Sequence, residues 1–133
     1  MRLIAAGLVM APSIAMAAEN IDVSRGADRI VFGNCVPSLE VENNSSEIID
    51  YLQVDLALVL SSGEERVVEL RSAYRQGVLH PIGVGGRITL QQQLDMSRPL
   101  GVPCTEVKSR RVVRTICEAE GGMPCASRVL VRP

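Results

Sequence analysis

Aromatic side chains are almost missing from this chain. Among its 133 residues there is no tryptophan, two tyrosines and one phenylalanine. That argues against a stacking platform for nucleobases or sugars. It also leaves a core to be built from Val, Leu and Ile, which favours strands. Histidine occurs once, at His80. With no Cys-x-x-Cys pair beside it, a zinc site lacks ligands. No serine sits in a Gly-x-Ser-x-Gly turn, so a Ser/His/Asp set cannot be assembled. Gly83-Val84-Gly85-Gly86 lacks the Gly-Lys-Ser/Thr ending of a phosphate loop and reads as a turn. The adjacent Glu64 and Glu65 would point to opposite faces of a strand, which is no acid–base pair. No excess of either charge is present, with 14 basic and 15 acidic side chains, so nucleic acid is not an expected partner. These deficits lead us to expect no enzyme, no catalytic residue, no metal and no cofactor.

What is present begins with an export leader. Met1-Arg2 is positive, Leu3–Met10 is apolar, Pro12-Ser13 breaks the run, and Ala15-Met16-Ala17 offers small residues to a signal peptidase. Residues 1–17 therefore read as a cleaved signal peptide, and 18–133 as a single domain. The apolar run is too short for a membrane span, and no later run approaches the ~20 residues one needs. Four cysteines come after the leader: Cys35, Cys104, Cys117 and Cys125. An even number behind such a leader predicts two disulfides and a secreted or periplasmic location.

The strongest pattern in the chain is Ile48–Leu60, IIDYLQVDLALVL. Leu52, Val54, Leu56, Leu58 and Leu60 fall on every second position, which puts them on one face of a long strand. Its other face carries Tyr51, Gln53 and Asp55, then Ala57 and Val59. That apolar half is a candidate contact surface, unless the chain's own leader or a loop covers it.

Shorter alternations flank it. Ala18–Gly26 reads as a polar leader, Asp28–Phe32 as a first strand and Cys35–Asn43 as a second, with Pro37 near its start. Asn43-Asn44-Ser45-Ser46 is a turn that contains two glycosylation sequons, at Asn43 and Asn44. Ser61–Glu64 closes a hairpin to Glu65–Ala73. A glycine-rich loop, Tyr74–Gly86, leads to Arg87–Met96, where Gln92 breaks the apolar face of Ile88, Leu90, Leu94 and Met96. Cys104–Glu118 and Cys125–Arg132 supply the last two strands.

Seven short strands with turns between them and no amphipathic helix predict an all-β fold. The expected form is an antiparallel, seven-stranded immunoglobulin-like or fibronectin type III-like sandwich. In that frame Cys35 opens the second strand and Cys104 precedes the sixth, at one end of the sandwich. Cys117 closes the sixth and Cys125 opens the seventh, at the other end. The expected disulfides are therefore Cys35–Cys104 and Cys117–Cys125.

One basic cluster stands out. Lys108, Arg110 and Arg114 share strand parity, with Arg111 beside them. They read either as a solvated face or as a partner-binding stripe for an acidic protein or glycan.

Several of these features occur together in one known family. An early-strand cysteine, the turn Leu39-Glu40-Val41-Glu42-Asn43-Asn44, a long alternating strand and a late Cys117-to-Cys125 hairpin resemble the small bacterial interleukin receptor mimic proteins. The resemblance implies a secreted fibronectin type III-like protein, a strand-exchanged homodimer and binding of host immune proteins. It identifies no binding residue. The sequence thus leads to a non-enzymatic exported protein-binding module. The alternative is a periplasmic chaperone-like or assembly factor that holds a client strand at a sheet edge. Non-reducing peptide mapping tests the frame: Cys35 should be recovered bonded to Cys104, and a Cys104–Cys117 fragment would overturn the strand order.

Overall fold

The computed structural model describes residues 19–72, 80–93 and 100–133. The expected signal peptide, Leu94, Met96 and most of the loop before His80 lie outside the described residues. The strands in chain order are β1 (Asn20–Arg25), β2 (Arg29–Val31), β3 (Asn34–Val36), β4 (Ser38–Asn43), β5 (Ile49–Leu60), β6 (Glu65–Arg71), β7 (Arg87–Gln92), β8 (Val107–Ala119) and β9 (Arg128–Arg132). The described helical structure is confined to two 3-10 turns, Cys104–Glu106 and Glu120–Gly122.

Strand β5 organises the rest. Leu52, Val54, Leu56 and Leu58 have no exposed surface and Leu60 is 4% exposed, as the period-two alternation requires. β5 pairs antiparallel with β6 on one side and with β8 on the other. The sheet then continues in the order β8-β5-β6-β7-β4-β1-β9. Every strand in it sends side chains to one cluster: Ile21 and Val23 from β1, Leu39 and Val41 from β4, Val68 and Leu70 from β6, Leu90 from β7. Val112 and Cys117 of β8 and Val129 and Val131 of β9 pack on its margin. A single sheet can bury one face in this way only by curling over itself.

This differs from the expected antiparallel sandwich in two respects. β6 and β7 hydrogen bond through Leu70↔Gln92 and Arg71↔Gln91, which joins what would be two separate sheets. β9 pairs with β1, and does so in parallel, Ile21 beside Val129 and Val23 beside Val131. The result is a mixed, nearly barrel-like sheet. β8 and β9 meet mainly at the Cys117–Cys125 end, through the Glu118↔Pro124 bridge and the Cys125 N–H donating to the Cys117 carbonyl at 3.2 Å. The described residues contain no ladder between β8 and β9 beyond this, so the curl stays open there.

The leader-like segment Ala18–Gly26 contains a strand. β1 was obscured in the sequence because its two alternating apolar residues, Ile21 and Val23, are too few to stand out from a polar stretch. Pro37 splits the expected second strand: β3 forms a small separate hairpin with β2, and β4 joins the main sheet. A proline has no N–H for the ladder, so pairing changes at that point.

Asn43 holds one end together. Its side chain is fully buried. Nδ2 donates to the carbonyls of Glu47 at 2.8 Å and of Ile82 and Gly83 at 3.1 Å. Oδ1 accepts from the Ser45 N–H and Oγ. The Gly85 N–H donates to the Asn43 carbonyl, so the glycine-rich turn caps a buried asparagine. This burial removes Asn43 as a glycan acceptor, and Asn44 Nδ2 is bonded to Asp22 and Glu42.

Removal of β5's inner packing should be costly. Leu56→Ala should lose about 2–5 kcal/mol by urea denaturation, whereas Val67→Ala, at a 56% exposed site on β6, should lose no more than about 0.5 kcal/mol.

Candidate binding surfaces

The structure joins Cys35 to Cys104 and Cys117 to Cys125, the two expected pairs. The first spans 69 residues of sequence and clamps the β2–β3 hairpin to the segment entering β8. In the chain-entropy picture a loop of that length contributes about 4 kcal/mol.

A second clamp lies beside it. Arg110 Nη2 donates to both oxygens of Asp28, at 2.9 and 2.8 Å, and Arg25 Nη2 donates to Asp28 Oδ2 at 3.0 Å. The Arg110 side chain is only 6% exposed and that of Asp28 17%. Burial pushes the Asp28 carboxyl up, but the hydrogen bonds and charges of Arg110 and Arg25 outweigh it and hold it below its ordinary value. One Asp28 carboxylate oxygen lies within 4.8 Å of the Cys35 and Cys104 sulfurs. Those sulfurs are oxidised to a disulfide and have no thiolate charge to hold a metal.

Between these clamps and solvent stands the tip of the hairpin. Phe32 and Gly33 form its two-residue turn, with φ of 51° and 79°. Two positive φ values suit such a turn, but Asn, Asp or Gly normally occupies it. A phenylalanine there costs about 1–2 kcal/mol of backbone strain. Phe32 is 99% exposed and Ile30, on the same hairpin, 69%. The chain's single phenylalanine is thus displayed to solvent in a conformation it does not favour, on a hairpin fixed at its base. Sequence reading placed Phe32 inside a strand. The signal that could have relocated it was Phe-Gly-Asn immediately ahead of Cys35, a tight turn before a staple.

The predicted basic stripe does not form. β8 pairs with β5 through register shifts, and two of them fall in this segment. Between Ser109 and Val107 the extra residue is Lys108; between Arg114 and Val112 it is Val113. Each bulge reverses the parity of the residues beyond it. Arg110 therefore lies opposite Leu58, on the core side, while Arg114 lies opposite Asp55 on the outer side. Arg114 Nε donates to Asp55 Oδ2 at 3.1 Å, and Arg111 pairs with Glu65 at 3.1 Å. Lys108 is exposed at its bulge.

The outer face of β5 is covered by its neighbours. Gln53, Asp55 and Ala57 are 4%, 5% and 1% exposed. Gln53 Nε2 donates to Asp55 Oδ1, and the Tyr51 hydroxyl donates to Gln53 Oε1. The most open apolar groups on this face are Val67 and Val113, both about half-exposed; of the expected pair, Ala57 is buried and Val59 is partly buried.

Two of the polar clefts on the described surface lie near charged side chains of β1, β4, β7 and β8. One, of about 480 Å³, lies on the outer face of β1, β4 and β7 between Asp22, Glu40, Glu42, Arg87 and Arg132. The other, of about 200 Å³, lies between Arg25 and the start of β8. Among the described residues, no helix is long and apolar enough to cross a membrane.

No family profile and no curated sequence matches the chain. The fold is similar to the solved structure of IrmA from Escherichia coli, with a TM-score of 0.52 and 13% sequence identity, over 82% of this chain and 88% of that one. At that identity the likeness is one of fold.

The Asp28 clamp makes a prediction about pH. With its folded pKa depressed, Asp28 stabilises the protein above about pH 4, where the unfolded carboxylate is also charged, and loses this as pH falls through the lower folded value. Asp28→Asn should cost about 3 kcal/mol at neutral pH. The gap to wild type in urea midpoints should narrow below about pH 4. An equal gap at both pH values would mean that the charge of Asp28 contributes nothing.

Proposed function

We propose that the protein is a non-enzymatic, exported protein-binding module whose contact element is the β2–β3 hairpin. The observation that carries this is Phe32, 99% exposed at a positive φ on a doubly clamped hairpin. Backbone strain kept at an exposed apolar tip has no stabilising return within the domain, which favours a role in contact. A rigid aromatic anchor flanked by Ile30 is the kind of group on which interface energy concentrates. Two disulfides suit an oxidising compartment, in support of export.

The partner class rests on the resemblance to interleukin receptor mimic proteins, which implies host immune proteins as ligands and a homodimer as the assembly; the likeness to IrmA supports the fold on which that resemblance stands. The narrow β6–β7 join supports reading the fold as a fibronectin type III-like sandwich whose two sheets have merged. A second reading, a periplasmic factor that holds a client strand, is favoured by the open edge of β8.

The test is a binding panel of host cytokines and cytokine-receptor ectodomains against the oxidised protein from residue 18 onward. At least one should bind, and Phe32→Ala should weaken it by roughly 30-fold or more, the effect of losing an interface anchor. Unchanged affinity for Phe32→Ala and Ile30→Ser would remove the hairpin from the interface. A panel without binders, together with retention in the periplasm, would favour the client-strand reading.

A further inference from the structure

The smaller cleft carries a feature that the hairpin reading does not use. It is lined by Arg25 at the end of β1, by Val107, Lys108, Ser109 and Arg110 of β8, and by Pro133. It therefore lies where the curl of the sheet is open, at the end away from the Cys117–Cys125 staple. Three cations line it. The described ion pairs of Arg25 and Arg110 both go to one carboxylate, Asp28. Among the side chains, three positive charges stand against the single carboxylate of Asp28, and Pro133 lines the same cleft. Arg110 spends its Nη2 on Asp28, but its Nη1 is buried and has no acceptor. A buried, charged donor without a partner is rare in folded proteins, and an ion that belongs at the site is one of its few explanations.

The three cationic donors set the chemistry of that ion. A carboxylate brings one charge and two oxygens. A phosphate or sulfate group brings three or more oxygens, which matches donors on three side chains. We propose that the cleft between the start of β8 and the end of β1 binds a phosphate or sulfate group through Arg110, Lys108 and Arg25. Arg25 is the movable wall: its side chain is 56% exposed and is held to Asp28 by one bond. Arg110 is the fixed floor. Lys108 reaches the cleft because the bulge turns it out of the regular alternation, so the irregularity that breaks the predicted stripe builds the site.

The group has two sources, free inorganic phosphate or a sulfated sugar, and the probes separate them. Amide chemical shifts of the oxidised protein should be monitored during titration with sodium phosphate, and separately with a sulfated heparin disaccharide, at constant ionic strength. Saturable shifts at Arg25, Lys108, Ser109 and Arg110 with either probe are expected, and the tighter probe names the source. Lys108→Ala and Arg25→Ala change exposed side chains and should fold; each should weaken binding by roughly tenfold, the loss of one charge-assisted contact. Arg87→Ala, in the larger cleft, should leave it unchanged. Absence of saturable shifts with both probes overturns the proposal, as does wild-type affinity in both Lys108→Ala and Arg25→Ala, or an equal loss in Arg87→Ala. None of these outcomes depends on the hairpin binding a protein.

Discussion

The structure depends on one row of side chains, Leu52 to Leu60 on the inner face of β5. A flat sheet would leave that row in water. With no covering helix among the described residues and no aromatic bulk to fill a wide core, the remaining strands have to bend round until their own Val, Leu and Ile meet it. Pairing of β6 with β7, and of β9 with β1, answers the same demand: each closes a gap through which the row would be wetted. The curl is left incomplete between β8 and β9, where a short disulfide-stapled turn serves in place of a ladder.

The proposed contact features gather at the end of the molecule opposite that staple. Cys35–Cys104 and the Asp28–Arg110 pair fasten a small hairpin that contributes little to the main core but holds Phe32 in solvent. One covalent and one ionic clamp on so short an element make its position rigid, and a rigid anchor loses less entropy on contact than a flexible one. The basic cleft lies near the same clamps because Arg110 serves both: one guanidinium edge closes the pair with Asp28, and the other is left without an acceptor.

Several parts of this were legible in the residues. The period-two run of β5 located the core, and its five aliphatics form the most buried row. Cysteine positions at strand ends led to the disulfide pairs because strand order constrains which ends meet. β1 was hidden because two apolar residues in six make a weak signal, although pairing on both sides buries Ile21 and Val23. The basic residues of β8 were legible as a cluster but not as a site. Parity counting assumes a regular strand, and bulges at Lys108 and Val113 are set by how β8 must bend to track β5. Nothing in the local sequence states that requirement.

The sequence by itself determined that the protein is all-β, which strand carries the core, and which cysteines join, since these rest on local periodicity and order along the chain. The tertiary structure alone decided that the sheet is one curled surface rather than two stacked ones. It also decided that Phe32 is displayed rather than buried, and that Arg110 faces inward while Arg114 faces out. These depend on register, on where bulges fall and on which distant strand completes a pair. Such quantities are fixed by the packing of the whole chain and not by any segment of it.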